Sequence, residues 1–578
     1  MDIQQIILEK NVPCTMRDGV TLFADIYRPT MEGTFPVLLT RLPYNKDLPF
    51  YSHRYLDTNR LVQNGYIVII QDVRGRFNSE GDFYPFLNEA EDGYDTVEWA
   101  AALPYCNGKV GMFGLSYYGF TQLLAATEQP PHLKAIVPAM TLNNWLNNSV
   151  DESGKFMVAS SETYALESIA PDQLKRTYKD PEEYAAMMQK MAASYNKIEE
   201  WFEHKPVNQW PPLKELGVAE FFFDTLEGNV SGENAERMSI LNKYDQIKVP
   251  AYHIAGWYDS LLQSTLENYE GLQKNSPARQ KLIIGPWGHG VYSSVIGERN
   301  FGIHASGDWI DQKDDLTGLH IRWFNHWLKG EKTDVVNEAP VKLFVMGINE
   351  WRNEQEWPLA RTNYIPYYLH SKGTANSRFG NGSLSFEKPQ AEPSDSFVYD
   401  PANPVPTNGG GTLYAGANTM GPKDQQVLEG REDVLVYTSA PLEEPLEVTG
   451  PVKVKLWAKT DAVDTDFTAK LIDVLPDGRA YNLTDGIIRA KYRKGQDIGE
   501  QIKGEILDYD IELWPTSNVF LPGHSIRVEI SSSSFPRFDA NLNTGKTMID
   551  SEEYTTAEQT IYHDENFSSY ILLPVIRN

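Results

Sequence analysis

Short apolar runs punctuate the first 140 or so residues and return between about 248 and 330. They are Phe35–Thr40 (FPVLLT), Tyr66–Ile70 (YIVII), Val110–Phe113 (VGMF), Lys134–Pro138 (KAIVP), Pro250–Ala255 (PAYHIA) and Lys281–Gly285 (KLIIG). Runs of this length, bounded by turn residues, fit strands covered on both faces, as in a parallel sheet. Helical patterns lie between them. In Glu89–Leu103, Ala90, Val97, Ala100 and Ala101 fall on helical spacing, and the acidic residues gather at the start, where the helix dipole favours them. Such alternation predicts a doubly wound α/β domain.

The rhythm breaks at about residue 143. The segment YAAMMQKMAASYNKIEEWF (Tyr184–Phe202) has strong helix formers and no strand-like alternation. Residues 143–247 are therefore expected to form a helical insertion, a lid over one end of the sheet. Beyond about residue 335 the pattern changes again. Val341–Gly347, Val452–Thr460, Ser525–Ser532 and Ser569–Ile576 alternate or are β-branched, which predicts an antiparallel sandwich or jelly roll. Gly373–Gly411 is rich in Gly, Ser, Pro and Asn and is expected to form long surface loops. The organisation expected is an α/β domain in two parts, 1–142 and 248–335, a helical insertion, 143–247, and a β-sandwich, 336–578.

Composition narrows the function. Across 578 residues, 52 Lys and Arg face 79 Asp and Glu, a net charge of −27. That balance argues against nucleic acid or an anionic membrane as partner, since both are held by clustered cations. Only Cys14 and Cys106 occur, which excludes a disulfide-stapled scaffold and a multi-cysteine zinc site. Met1–Lys10 lacks the pattern of a signal peptide, and no apolar stretch approaches the roughly 18 residues of a membrane span. A cytoplasmic location is the expectation.

The most informative segment is KVGMFGLSYYGFTQLLAAT, Lys109–Thr127. An apolar strand ends at Gly114, Ser116 follows two residues later, and a helix begins directly after it. This is the context of a nucleophile elbow, in which a sharp turn projects a serine from the sheet edge. Small residues are needed where the chain crowds itself, and Gly114 and Gly119 supply them. The Tyr117 amide would point at a developing oxyanion. The usual G-x-S-x-G pattern is offset here, with Tyr118 where its second glycine would fall.

A serine nucleophile needs a base and a group to orient that base. In the order Ser, acid, His, two loops fit: PAYHIAGWYDS places Asp259 just past one strand, and KLIIGPWGHG places His289 past the next. His253 lies inside a strand, and His320 and His326 lie in a Trp-rich helix, where packing suffices to explain them. Asp72 is a rival acid, but it precedes Ser116, and neighbouring Arg74 and Arg76 suggest a structural ion pair. VLLTRLPYNKD places Tyr44 after an early strand, as a loop anchor or a second oxyanion donor.

Several motifs, in order, resemble the cocaine-esterase / X-Pro dipeptidyl-peptidase-like family of serine hydrolases. They are QDVRGRFNSEGDFYPF, EDGYDTVEWAAALPYCNGKVGMFGLSYYG, AGWYD, GPWGH, DTDF (Asp464–Phe467) and FPRFDANLNTG (Phe535–Gly545). The resemblance runs from near residue 13 to the end. It implies an α/β-hydrolase domain, an inserted helical domain and a C-terminal jelly roll. It further implies Ser116 as nucleophile, Asp259 as acid, His289 as base, and the Tyr44 hydroxyl and Tyr117 amide as oxyanion donors. The family writes its elbow G-x-S-Y-x-G, so Tyr118 is a family trait. No metal or organic cofactor is implied.

Branches of the family differ in what holds the substrate. Those that take α-amino acyl groups place extra carboxylates after the catalytic acid, whereas here Ser260, Leu261, Leu262 and Gln263 follow Asp259. No anchor for the free N-terminus of an X-Pro peptide is identifiable. An esterase or amidase for a neutral, hydrophobic acyl group is thus the expectation, with an X-Pro dipeptidyl peptidase as the alternative. Trp145, Trp257 and Trp287 are candidates for lining the pocket, and core packing is the competing account of each. A different class of reading is a non-catalytic protein that binds its ligand through the jelly roll. DTDF reads either as a turn closed by its own aspartates or as a contact toward the hydrolase domain. The expected partner is a small ester or amide, with a homodimer left open.

Overall fold

All six apolar runs become strands of one sheet in the computed structural model, which describes residues 5–150, 154–416, 420–495 and 502–577. Its strands are β1 (Ile6–Thr15), β2 (Thr21–Pro29), β3 (Phe35–Leu42), β4 (Ile67–Asp72), β5 (Cys106–Leu115), β6 (Leu133–Ala139), β7 (Ala251–Tyr258), β8 (Gln280–Gly288), β9 (Val341–Val345) and β10 (Glu350–Glu354). The order across the sheet is β1-β2-β4-β3-β5-β6-β7-β8-β9-β10. From β4 to β9 neighbouring strands are parallel, and antiparallel pairs close both edges. Every residue of β4, β7 and β8 is buried, as expected for strands covered on two faces.

The covering helices follow the sequence pattern. Helix α1 (Glu89–Ala101) begins with Glu89, Glu91 and Asp92 in its first turn. Helix α2 (Tyr117–Thr127) is buried along its whole length, and its polar Gln122 is satisfied by the Gly114 and Tyr118 carbonyls. The two helices meet at Gly93, where an added Cβ would come within 2.5 Å of the Ala125 Cβ. Between β6 and β7 the chain forms a run of helices, including Val158–Thr163, Ala170–Thr177, Pro181–Tyr195 and Glu220–Leu226. Among the described residues no helix is long and apolar enough to cross a membrane.

Two expectations about the second half require correction. Val341–Gly347 was expected to open the C-terminal β domain, but Val341–Leu343 pairs in parallel with Leu282–Ile284, so this segment extends the first sheet. Its apolar run suits a strand buried on both faces, and periodicity does not specify which sheet it joins. The Gly373–Gly411 stretch is not all surface loop either. It contains strands Ser383–Ser385 and Asp395–Tyr399, and its final glycines, Gly409–Gly411, are buried.

Among the described residues, Val295–Ile296 and Arg299–Asn300 form a small hairpin, and eleven further strands build an almost wholly antiparallel second sheet, with long strands at Leu446–Thr460 and Leu507–Phe520. Its apolar interior is continuous with side chains of β7, β8 and β9, including Trp257, Leu282 and Phe344. The DTDF segment takes part in a buried ionic array. Arg489 donates to Asp466 Oδ1 at 2.9 Å and Oδ2 at 3.0 Å, and to Asp539 Oδ2 at 2.9 Å. Asp539 Oδ1 in turn accepts from the Phe156 amide at 2.8 Å, which ties the β domain to the helical segment. Removing one partner of a buried ion pair strands the other charge. Arg489→Met is therefore expected to destabilise the chain by about 3–5 kcal/mol, read as earlier denaturant unfolding by tryptophan fluorescence; an unchanged midpoint contradicts this.

Candidate active site

The residues singled out as Ser116, Asp259, His289 and Tyr44 all follow parallel strands, β5, β7, β8 and β3, at the same edge of the sheet. Ser116 sits at the N-cap of α2 with φ 58° and ψ −126°, a positive φ that non-glycine residues seldom adopt. The glycines around it have specific reasons. At Gly114 an added Cβ would lie 2.3 Å from the Tyr118 ring, and at Gly119 it would lie 2.8 Å from the Thr141 Cβ. The Ser116 amide donates to the Ala139 carbonyl at 2.9 Å, and its carbonyl accepts from Thr141 Oγ1 at 2.7 Å. The turn is held from both sides.

Asp259 is fully buried, and its Oδ1 lies 2.6 Å from His289 Nδ1. With the Nδ1 proton directed at the carboxylate, Nε2 is left as the ring's acceptor. His289 and Ser116 line the same cavity, which has a volume of about 1480 Å³. A second cavity of about 90 Å³ opens beside it, and Ser116, Tyr44 and Tyr164 line both.

The loop carrying Tyr44 is anchored by buried polar groups. The Tyr44 ring stacks on Tyr51 at 4.8 Å, and its side chain lines both cavities together with Ser116 and Tyr164. Burial raises this phenol above the ordinary tyrosine range, so it stays protonated as a donor. Arg76 Nε donates to the Pro43 carbonyl at 2.9 Å, and Asp72 accepts from the Lys46 amide at 2.8 Å. The expected pairing of Asp72 with its neighbouring arginines is corrected here. Arg74 pairs with Asp92 at 2.6 Å, and Arg76 binds carbonyls with Asp172 at 3.7 Å. Asp72 instead holds loop amides, and burial pushes its carboxyl up to about 7.

At Tyr117 the candidate group is the backbone amide. As the first helical residue it has no intrahelical acceptor for its N–H. Its ring stacks on Phe86 at 3.9 Å, and its hydroxyl donates to Glu89 Oε1 at 2.9 Å. Glu89 Oε2 accepts from Arg41 at 2.7 Å, so a buried ion pair fixes the side chain and with it the amide.

The other candidates separate cleanly. Trp145 lines the small cavity. Trp257 and Trp287 are instead packed in the core, with their indole N–H groups donating to Phe344 and Ala305 carbonyls, each at 2.7 Å. The space for Trp287 comes from Gly285, whose added Cβ would meet the indole at 2.3 Å. His253 and His320 are buried and pushed down to about 4 by desolvation. They bond to Gln280 and to the Leu316 carbonyl respectively, and His326 packs its ring on Trp327 at 4.9 Å.

Sequence reasoning missed the contribution of the β domain. Gly411, Thr412, Leu413, Tyr414 and Arg537 all line the small cavity. Gly411 lies against the Asp259 carbonyl, where an added Cβ would come within 3.0 Å. The three consecutive glycines, with φ of 77° at Gly409 and 83° at Gly410, were the available signal for close backbone approach. Among the described residues no group of three or more His, Cys, Asp and Glu side chains is arranged to hold a metal ion.

Comparison with known proteins agrees with this layout. The family model for X-Pro dipeptidyl-peptidase (S15 family) matches residues 18–291, and that for the X-Pro dipeptidyl-peptidase C-terminal non-catalytic domain matches residues 333–572. A cocaine esterase from Rhodococcus sp. (strain MB1 Bresler) is 38% identical over 98% of each chain. A putative serine esterase from Mycobacterium bovis is 24% identical over 97% of this chain and 94% of its own. Among solved structures, an aminopeptidase from a marine sediment archaeon, Thaumarchaeota archaeon, superposes with a TM-score of 0.81 at 26% identity, covering 100% of this chain and 97% of the other. An α-amino acid ester hydrolase superposes with a TM-score of 0.78, also at 26% identity, covering 99% and 97%.

Proposed function

Since this chain belongs to the cocaine-esterase / X-Pro dipeptidyl-peptidase (S15) family of serine hydrolases, we propose that it cleaves acyl esters of a short, neutral acyl group through Ser116, His289 and Asp259. The observation that carries this reading is a strained serine facing the same cavity as an imidazole whose far nitrogen is held by a buried carboxylate.

His289 Nε2 takes the Ser116 proton as Oγ attacks the ester carbon, and Asp259 stabilises the resulting imidazolium. The Tyr44 hydroxyl and Tyr117 amide receive the oxyanion. The tetrahedral intermediate collapses with loss of the alkoxide, to which His289 returns its proton. Water then attacks the acyl-enzyme through the same base, releasing the carboxylic acid and restoring Ser116. Because His289 lines the large cavity and must protonate the leaving group, the alcohol part belongs there. The acyl part belongs in the small cavity beside Trp145. An acyl ammonium is disfavoured, because Ser260 and Leu261 stand where an acidic pair would be needed. The helical segment, about 143–247, acts as a lid. The C-terminal domain, from about 336, is a jelly roll whose loop completes the pocket, and its first two strands, β9 and β10, pair with the first sheet.

A fluorophosphonate is expected to add one label to the wild-type chain and none to Ser116→Ala by intact mass; labelling that persists in the variant contradicts the assignment. Tyr44→Phe is expected to lower kcat by about 10²–10³ with the fold retained, and wild-type turnover would remove Tyr44 from the oxyanion site.

A further inference from the structure

The two cavities that meet at Ser116 differ greatly in scale. The small one has a volume of about 90 Å³ and the large one about 1480 Å³. The second figure exceeds the roughly 300–1,000 Å³ of an ordinary ligand pocket. A methyl or ethyl alcohol would leave nearly all of that space to water. The mouth of the large cavity is also apolar. Phe50, Val291, Ile303, Trp309 and Leu413 line it, yet each is between 38% and 64% exposed. Single exposed apolar side chains are ordinary, whereas five around one opening form a patch of the kind that binds something.

The patch is assembled from separate parts of the chain. Phe50 lies in the short helix Pro49–Ser52 after the Tyr44 loop, and Val291 lies two residues past His289. Leu413 comes from the β domain, which crosses over to reach the cavity. The Phe50 ring is supported by the Arg54 guanidinium at 4.7 Å and by the Tyr51 ring at 4.9 Å. The buried Tyr55 and half-buried Tyr292, with rings 6.0 Å apart, continue the aromatic wall inside. Of the carboxylates in this wall, Asp57 accepts from the Arg60 amide at 3.0 Å and Asp315 from the Gly318 amide at 2.8 Å. Arg54, Glu167 and Asp308 are exposed, so water keeps them solvated beside a bound ring.

The base decides which part of the substrate meets this surface, because His289 lines the large cavity and returns its proton to the departing alkoxide. We propose that the alcohol part of the substrate is large and predominantly apolar, a ring system reaching from the scissile oxygen to the rim at Phe50 and Trp309. This rests on the reading of Ser116 and His289 as nucleophile and base, and assigns recognition to the leaving group as well as to the acyl group. Covering the rim removes apolar surface from water, and binding energy gathered away from the reacting bond lowers KM.

The test holds the acid constant and varies the alcohol. Ethyl, cyclohexylmethyl, naphthylmethyl and methoxyethoxyethyl acetates, all esters of primary alcohols, are hydrolysed by the full chain below their solubility limits, and acetic acid release is followed. The expected kcat/KM is about tenfold or more higher for the naphthylmethyl than for the ethyl ester, through KM, with the polyether close to ethyl. Phe50→Ser and Trp309→Ser, both at exposed positions, are each expected to lower the naphthylmethyl-to-ethyl ratio several-fold. A wild-type ratio near one, a polyether as good as the naphthylmethyl ester, or variants that keep the full ratio overturns the proposal. So does a rate that climbs only once an ester passes its solubility limit, which would assign the rim to a lipid-like interface. Fluorophosphonate labelling of Ser116 and turnover of ethyl acetate are read alongside. If both persist while the ratio is near one, only the assignment of the alcohol falls; if both are lost, the serine-hydrolase reading falls with it.

Discussion

One hydrogen bond joins two distant loops into a site. Asp259 and His289 end adjacent parallel strands, and the 2.6 Å contact between Oδ1 and Nδ1 fixes the imidazole relative to the sheet edge. Asp259 is fully buried, and its other carboxylate oxygen has no partner among the described residues, so the imidazole is its main compensation. A carboxylate held in this way gains most when the ring becomes positively charged, which is the state a general base reaches during attack. The same burial would be costly for an aspartate without that task.

The rest of the architecture keeps the opposing parts in register. The loop bearing Tyr44 is tied down by Arg76, Asp72 and Lys46, none of which faces substrate in the proposed mechanism. Arg76 also donates to the Ser168 and Ile169 carbonyls, so one guanidinium fixes the early loop and the helical segment together. On the other side, Arg489 and Asp539 hold Phe156 to the β domain. The chain segment from Phe156 to Ile169 is thus clamped at both ends, and Ser160 and Tyr164 between them line the cavities. The C-terminal domain is part of the pocket by this geometry, through Gly411–Tyr414 and Arg537.

Much of this was legible in the sequence, for identifiable reasons. Strands buried on both faces leave apolar runs, and all six runs identified became strands of the first sheet. Gly114 and Gly119 were readable because a side chain at either would collide with Tyr118 or Thr141. Other features were not local enough to read. The segment Val341–Val345 has the same pattern in either sheet, and only its pairing with β8 assigns it. Trp257 and Trp287 lie beside the motif loops in sequence, but their indoles turn into the core. The Gly409–Gly411 run looks like solvent-exposed linker until Asp259 is placed against it.

The most direct test of the central claim is the turnover of Asp259→Asn with a p-nitrophenyl ester, measured on protein whose circular dichroism and unfolding match the wild type. An asparagine keeps the shape but presents no charge to the imidazolium and favours the wrong tautomer. The account requires kcat to fall by on the order of 10⁴. Turnover within a few-fold of the wild type would contradict it.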